Sequence, residues 1–188
     1  VFITVPVLLD LGLALTVLYA ESSQLVPALN SYWLAIHVSA AVVCFGAFTI
    51  GAALSGLYLV AQSAEDRVAA GKEPGRSAAI AQRIPSADRL DLMSYRIHAF
   101  MFPIWTFAVI AGAIWAEAAW GRYWGWDPKE TWAFITWVIY AAYLHARATA
   151  GWRGKKAAYV AIAGYATILF NYFVVNIWVQ GLHSYSGL

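Results

Sequence analysis

Charged residues are scarce in this 188-residue chain. Asp, Glu, Lys and Arg make up 12% of it, whereas a soluble domain carries about 25%. Hydrophobic residues make up 62%, so the chain cannot present a polar surface on all sides. This balance excludes a soluble nucleic-acid-binding domain and a disordered or collagen-like chain, and it predicts an integral membrane protein.

Cysteine is nearly absent, since Cys44 is the only one. A single thiol excludes a disulfide framework, a CxxC redox centre and a thiolate zinc site within this chain. The sequence contains no CxxCH motif, so we do not expect it to be a c-type cytochrome itself. It begins at Val1 without Met or a basic n-region, and we expect its true beginning to be missing.

Long apolar runs dominate what is present. A spanning helix needs about 20 mainly apolar residues, and unpaired strand edges are not tolerated in lipid. We therefore predict an all-α, polytopic transmembrane helical bundle that forms a single membrane domain over residues 1–188. Pro103 predicts a kink or an early end in the third span. The five predicted spans are residues 1–20, 33–61, 97–116, 132–146 and 157–180.

Basic residues orient these spans. Ten of the twelve Lys and Arg residues lie in segments 62–96 and 147–156. Because cytoplasmic loops carry an excess of Lys and Arg, we expect 62–96 to be a cytoplasmic loop and 147–156 to lie on the same side. Alternation then places loop 117–131, which holds Arg122 and Lys129, outside together with the C-terminus.

Tryptophan is concentrated around that outer loop. Six of the ten Trp residues lie in 115–137. An aromatic belt at the membrane interface explains Trp115 and Trp137 but not the ordered cluster between them. In the run GRYWGWDPKETW, Asp127 fits a helix N-cap with Pro128 at the first helical position. This segment predicts a short aromatic platform that opens onto the fourth span.

The platform suits a large planar ligand, because indole and phenol faces are flat and neighbouring glycines allow close approach. A porphyrin, a sugar or a quinone fits that description. His37 and His183 lie at the level of the platform, whereas His98 and His145 lie at the inner ends of the third and fourth spans. Imidazole is a common axial ligand of haem iron, so histidines beside an aromatic platform favour haem.

Three segments resemble one protein family. GRYWGWDPKETW resembles the tryptophan-rich WWD signature of haem-handling proteins. FITWVIYAAYLHAR and NIWVQGLHSYSG resemble the C-terminal part of the CcsA/ResC proteins of System II cytochrome c biogenesis. The resemblance extends from about Trp33 to the end. Because family members carry further spans ahead of this region, we expect the chain to be the C-terminal part of a longer protein.

The resemblance implies a function. Such proteins bind haem b as a substrate on the outer face. With a ResB/CcsB-like membrane protein, they attach it to the CxxCH of apocytochrome c, as part of a holocytochrome c synthase (haem lyase) complex. The implied location is the bacterial plasma membrane, with the Trp-rich loop and the C-terminus extracytoplasmic. Thiol-reducing proteins are further candidate partners, and no nucleic acid is involved.

The resemblance also implies site residues. His37 and His183 correspond to the outer iron ligands and His145 to an inner haem site, while His98 is a further local candidate there. We expect Arg122 and Lys129 to serve haem propionates, with lipid phosphate as the alternative partner. The remaining candidate haem-contacting residues are Trp120, Tyr123, Trp124, Trp126, Asp127 and Trp132.

Two other functions stay open on the sequence alone. Paired inner and outer histidines also suit a haem exporter without covalent chemistry. A cytochrome b or quinone-binding subunit would instead need histidine pairs that face each other on adjacent helices within the bilayer.

Overall fold

The computed structural model describes residues 4–16, 27–72, 75 and 78–184. About 82% of the structure is helical, and the described residues contain no strand. The predicted all-α membrane bundle is therefore confirmed. In chain order, the helices are α1 (Thr4–Thr16), α2 (Tyr32–Ala69), α3 (Ala78–Ala81), α4 (Ala87–Trp120), α5 (Pro128–Thr149) and α6 (Lys155–Leu169).

The number of spans is lower than predicted. Among the described residues, three helical segments are long and apolar enough to cross a membrane, namely α2, α4 and Lys155–Trp178. The last of these is α6 continued through a π-helical turn, Phe170–Val175, and a final α-helical turn. Three of the five predicted spans thus meet the length and hydropathy of a membrane-crossing helix within the part of the chain that the structure describes.

The two other predicted spans do not meet these criteria, for separate reasons. α5 has 22 residues, but its Trp, Tyr, Thr, His and Arg side chains lower its mean hydropathy. α1 has 13 residues, and the rest of the predicted first span lies outside the described residues.

α2 and α4 extend beyond the predicted spans. Much of the expected loop 62–96 is helical, and only 70–86 connects the two helices. Polar contacts support the extension, since Gln62 donates to Asp66 at 2.8 Å and Glu65 accepts the backbone N–H of Ala87 at 3.2 Å. α4 also continues without a break through Pro103.

The chain divides into two compact units, Val1–Asn30 and Ser31–Leu188. In the first unit, α1 carries a hydrogen bond from the Thr16 hydroxyl to the Gly12 carbonyl at 2.6 Å. In the second unit, α2 packs along α4, and α6 packs against both α5 and α2. The main core of this unit contains Cys44, Phe48, Met101, Trp105, Ala108, Tyr140 and Ile168.

Candidate functional site

One buried tryptophan contacts both outer histidines. Trp115, near the end of α4, is 2% exposed. The His37 imidazole from the start of α2 stacks on its indole with ring centroids 6.2 Å apart, and the His183 imidazole meets it edge-on at 5.4 Å. The aromatic-belt interpretation is not needed to explain Trp115, because protein side chains enclose this ring.

His37 is held by the backbone of α4. Its Nδ1 atom lies 2.8 Å from the carbonyl oxygen of Ala108. Since a carbonyl only accepts, Nδ1 carries the proton and donates it, which leaves the lone pair on Nε2. The imidazole lies directly against Gly112, where a Cβ atom would be 2.8 Å from Cε1 of His37. Only glycine permits this approach.

His183 is held by Asp127. The His183 Nδ1 atom lies 2.8 Å from Oδ1 of Asp127, and the backbone N–H of Leu182 donates to Oδ2 at 2.7 Å. Metal-binding histidines commonly donate their second ring nitrogen to such a carboxylate, which sets the tautomer and the ring orientation. Burial lowers the pKa of His183, although the hydrogen bond and charge of Asp127 raise it. The imidazole is therefore neutral at neutral pH.

The same carboxylate begins α5. Oδ1 of Asp127 accepts the backbone N–H of Lys129 at 3.1 Å, and the Glu130 carboxylate accepts the backbone N–H of Asp127 at 3.0 Å. This reciprocal capping box, with Pro128 at the first helical position, confirms the predicted N-cap. One side chain thus sets the start of a helix and the orientation of an imidazole.

Glu130 is a central residue that the sequence analysis did not select for the site. It is 8% exposed, and its carboxylate also accepts the backbone N–H of Gly125 at 2.8 Å. A buried carboxylate is costly unless it is hydrogen-bonded, so these contacts hold loop 121–127 in one conformation. The spacing of Asp127 and Glu130 is the signal that could have identified this role.

The two outer cations are partly engaged within the chain. The Arg122 guanidinium lies 3.5 Å from the Glu130 carboxylate and covers Gly125. Burial lowers the pKa of the Lys129 ammonium, against the attraction of Asp127. The predicted role of both cations toward propionates remains a prediction.

The tryptophans of the loop do not form one platform. They form three groups: Trp120 with Trp115 and His183, Trp124 and Trp126 with Phe134 of α5, and Trp132 with Phe170. Of these groups, only the first includes a histidine. Trp120 is therefore the member of the predicted set that the fold places beside His183.

Two aromatic side chains of the loop stay open. Tyr123 is 61% exposed and Trp126 is 64% exposed. Trp126 adopts a φ of 57°, in the left-handed region that residues other than glycine rarely occupy. The hydrogen bonds of Glu130 on both sides of Trp126 hold this conformation. A strained, exposed tryptophan is consistent with a contact surface for a flat ligand.

The two inner histidines do not meet. His98 is fully buried, and its Nδ1 atom donates to the Ser94 carbonyl at 2.7 Å. Its ring packs against Tyr143 of α5, whereas His145 on the same helix is exposed. Residues two apart on a helix point in different directions, so the imidazoles of His98 and His145 face different surroundings.

His98, predicted at the inner end of the third span, does not lie at an end of the helix itself. α4 begins at Ala87, so His98 lies well inside the helix. Its ring stacks on Phe48 of α2 and reaches the α2 backbone at Gly51, where a Cβ atom would be 2.5 Å from Cε1 of His98. The Nε2 atom is buried and has no hydrogen-bond partner among the described residues.

Comparison with known proteins adds independent evidence. The family model described as "Cytochrome C assembly protein" matches residues 1–183. The chain belongs to this family. The matched region includes His37, the whole Trp-rich loop and His183.

The relatives carry the name cytochrome c biogenesis protein CcsA, which confirms the family resemblance. The CcsA of Guillardia theta is 43% identical over 89% of this chain and 58% of its own length. The CcsA of Synechococcus elongatus is 40% identical over 88% of this chain and 61% of its own length. That of Prochlorococcus marinus is 45% identical, with shares of 87% and 57%. The chain thus spans about three fifths of the length of these relatives.

Proposed function

We propose that this chain serves in cytochrome c biogenesis by binding haem at its aromatic end and presenting it for attachment to apocytochrome c. The observation that carries the proposal is the convergence of His37 and His183 on Trp115. Each imidazole donates Nδ1–H to a fixed acceptor and keeps Nε2 for another partner. Iron-ligating histidines are commonly arranged in this way. The names of the CcsA relatives support the same process.

The residue types at this end of the molecule suit haem as a substrate. Imidazole nitrogens are axial ligands of haem iron, and indole and phenol faces suit a porphyrin. Arg122 and Lys129 are cations that would serve the two propionates. A haem held by both histidines must be accommodated beside Trp115, so we expect this indole to contact the macrocycle or to move.

Attachment adds each cysteine thiol of CxxCH across one vinyl group of haem. The sulfur bonds to one vinyl carbon and the thiol hydrogen goes to the other, so no atom leaves. The role of this chain is to position haem and to control the ligands of its iron. A ResB/CcsB-like membrane protein would complete the complex, and thiol-reducing proteins would keep the cysteines of the apocytochrome reduced.

The distribution of basic residues supports an orientation. Segments 62–96 and 147–156 hold ten of the twelve Lys and Arg residues. By the positive-inside rule, these segments face the cytoplasm, and the aromatic end with His183 faces the outer side of a plasma membrane. His145 then lies on the cytoplasmic side, where haem would enter.

The test uses the full-length protein, purified with its partner and supplied with haem and a CxxCH peptide. We expect haem to remain on the peptide during acid–acetone extraction. This resistance indicates thioether bonds. His37→Gly and His183→Gly should each lower the covalent product by more than about tenfold, because iron coordination is lost. Added imidazole should restore the product, since it can enter the space that the missing ring leaves.

A peptide with serine in place of both cysteines is the control, and it should release all haem on extraction. Movement of haem across the membrane without a covalent product would indicate an exporter instead. Normal attachment by both glycine variants without added imidazole would contradict the proposed site.

A further inference from the structure

The opposite end of the bundle carries a groove that the proposed haem chemistry does not use. It is a widely open depression of about 620 Å³, and small-molecule sites usually have about 300–1,000 Å³. The end of α2, the connection from α5 to α6 and the first turn of α6 form its walls. Its lining residues are Tyr58, Gln62, Ala150, Gly151, Trp152, Arg153, Lys155 and Lys156.

Close packing holds the base of this groove. Tyr58 is 4% exposed, and its hydroxyl donates to Gln62 at 3.0 Å. A Cβ atom at Gly154 would lie 2.8 Å from the Tyr58 hydroxyl oxygen, so the connection approaches α2 at a glycine. The backbone N–H of Gly154 donates to Asp91 at 3.3 Å. Gly151 and Gly154 adopt φ values of 63° and 69°, which favour glycine.

The groove has an excess of positive charge. Lys155 pairs with Asp66 at 2.7 Å, and Arg147 pairs with Asp91 at 2.7 Å. Asp66 and Asp91 are therefore already matched, and Asp88 is a third carboxylate close enough to act electrostatically on Tyr58. Arg153 and Lys156 are exposed and have no ion-pair partner among the described residues. Two cations at the groove are thus available to an anion.

We propose that this groove binds the phosphate of an anionic lipid headgroup. Gln62 lies 25 residues after His37 on the continuous helix α2, a rise of about 38 Å. Because the hydrocarbon layer is about 30 Å thick, a groove at that depth lies in the headgroup layer opposite the aromatic end. Trp152 is 38% exposed at the rim, and indole rings favour the membrane interface.

A lipid titration of the full-length protein in detergent tests this proposal, with bound lipid counted by native mass spectrometry. Phosphatidylglycerol should bind more tightly than phosphatidylcholine. Arg153→Gln combined with Lys156→Gln should weaken phosphatidylglycerol binding by about thirtyfold, because each cation beside an anionic lipid contributes about fivefold. The matched control is Lys72→Gln with Arg83→Gln, which removes equal charge outside the groove and should change binding by less than about twofold.

Inorganic phosphate separates the two possible sources of the anion. If phosphate alone displaces phosphatidylglycerol at equal concentration, the groove takes a free anion and the lipid proposal is overturned. Equal phosphatidylglycerol binding by the groove pair and the control pair would overturn it as well.

A second measurement keeps the charged groove intact. Brominated phosphatidylglycerol should quench the fluorescence of the unaltered chain more than that of Trp152→Phe, because bromine quenches a tryptophan that it contacts. Equal fractional quenching of the two proteins would place the lipid away from the groove and contradict the proposal.

Discussion

At the aromatic end of the bundle, the Asp127 carboxylate accepts hydrogen bonds from the backbone of Lys129, the backbone of Leu182 and the imidazole of His183. The first contact belongs to a helix cap and the third orients a candidate ligand. Two opposing influences act on this imidazole, since burial lowers the pKa of His183 and Asp127 raises it. The net effect is a lowered pKa, so the neutral ring is favoured in the folded protein.

Asp127→Asn should lower the pKa of His183 further, because it removes the negative charge and keeps the size of the side chain. Titration of histidine-labelled protein by NMR measures this directly. Asp66→Asn, at the other end of the bundle, is the control and should leave His183 unchanged. A higher pKa of His183 in Asp127→Asn would contradict the role that we assign to Asp127.

The lowered pKa of His183 also makes the stability of the protein depend on pH. In the unfolded chain, histidine has a pKa of about 6.5. As the pH falls, the unfolded state therefore gains a proton before the folded state does. The contribution of His183 to the free energy of unfolding is therefore complete above that pH and is lost as the pH falls below it. The loss should be larger in Asp127→Asn, and thermal unfolding at several pH values measures it.

Contacts between α2 and α4 set the position of His37. Gly112→Ala would place a methyl group 2.8 Å from Cε1 and Nδ1 of this imidazole, closer than side chains tolerate. The ring must shift and weaken its hydrogen bond to Ala108. We expect haem affinity to fall by about tenfold, which is the usual effect of losing a group that orients a metal-binding histidine. A haem titration followed by absorbance measures this affinity.

Gly56→Ala is the matched control on α2. A Cβ atom at this position meets nothing within 4 Å. Its haem affinity should not change, and the exchange can stabilise the helix by about 0.4–1 kcal/mol. Equal haem affinity of Gly112→Ala and Gly56→Ala would show that the position of His37 does not matter for binding.

The helices were predictable to different degrees. The start of α5 followed from Asp127 and Pro128, because an N-cap residue before a proline is a local pattern. The C-terminal end of α2 was not predictable from hydropathy, since the polar pair Gln62 and Asp66 continues the helix beyond the apolar run. The expected early end at Pro103 is also absent, because α4 continues without a break.

At the scale of the whole molecule, His145 lies far from the outer histidines. It follows Trp132 by 13 residues on α5, a rise of about 20 Å. One haem can hardly be ligated at both levels. Because the imidazole of His98 faces different surroundings, a second histidine ligand for the proposed inner site beside His145 would come from outside this chain.

His145→Ala should therefore lower the haem occupancy of the outer site without changing the absorption spectrum of the haem that still arrives. Thr149→Val, on the same exposed end of α5, is the control and should purify with normal haem content. Haem content and spectra of the purified complexes measure both effects. Full haem occupancy in His145→Ala would contradict an inner haem site at His145. It would favour a simple contact of the imidazole with the end of the helix.

The candidate site was predictable as a list of residues but not as an arrangement. His37, His183 and Asp127 were selected because their residue types and spacing fit metal binding and capping. Trp115 was assigned to the membrane interface, because nothing local shows that segments far apart in the sequence converge on it. Such contacts depend on how α2 packs along α4, which composition and hydropathy do not specify.

The residues of this site are synthesised in a fixed order. A ribosome delivers His37 early, then Trp115, then Asp127, and His183 last. Until His183 has emerged, Asp127 has no imidazole to orient and Trp115 lacks one of its two histidine contacts. A nascent chain therefore cannot trap haem between both imidazoles before its synthesis has passed residue 183. Under the proposed haem function, the late synthesis of His183 would keep an unfinished chain from holding haem between both imidazoles.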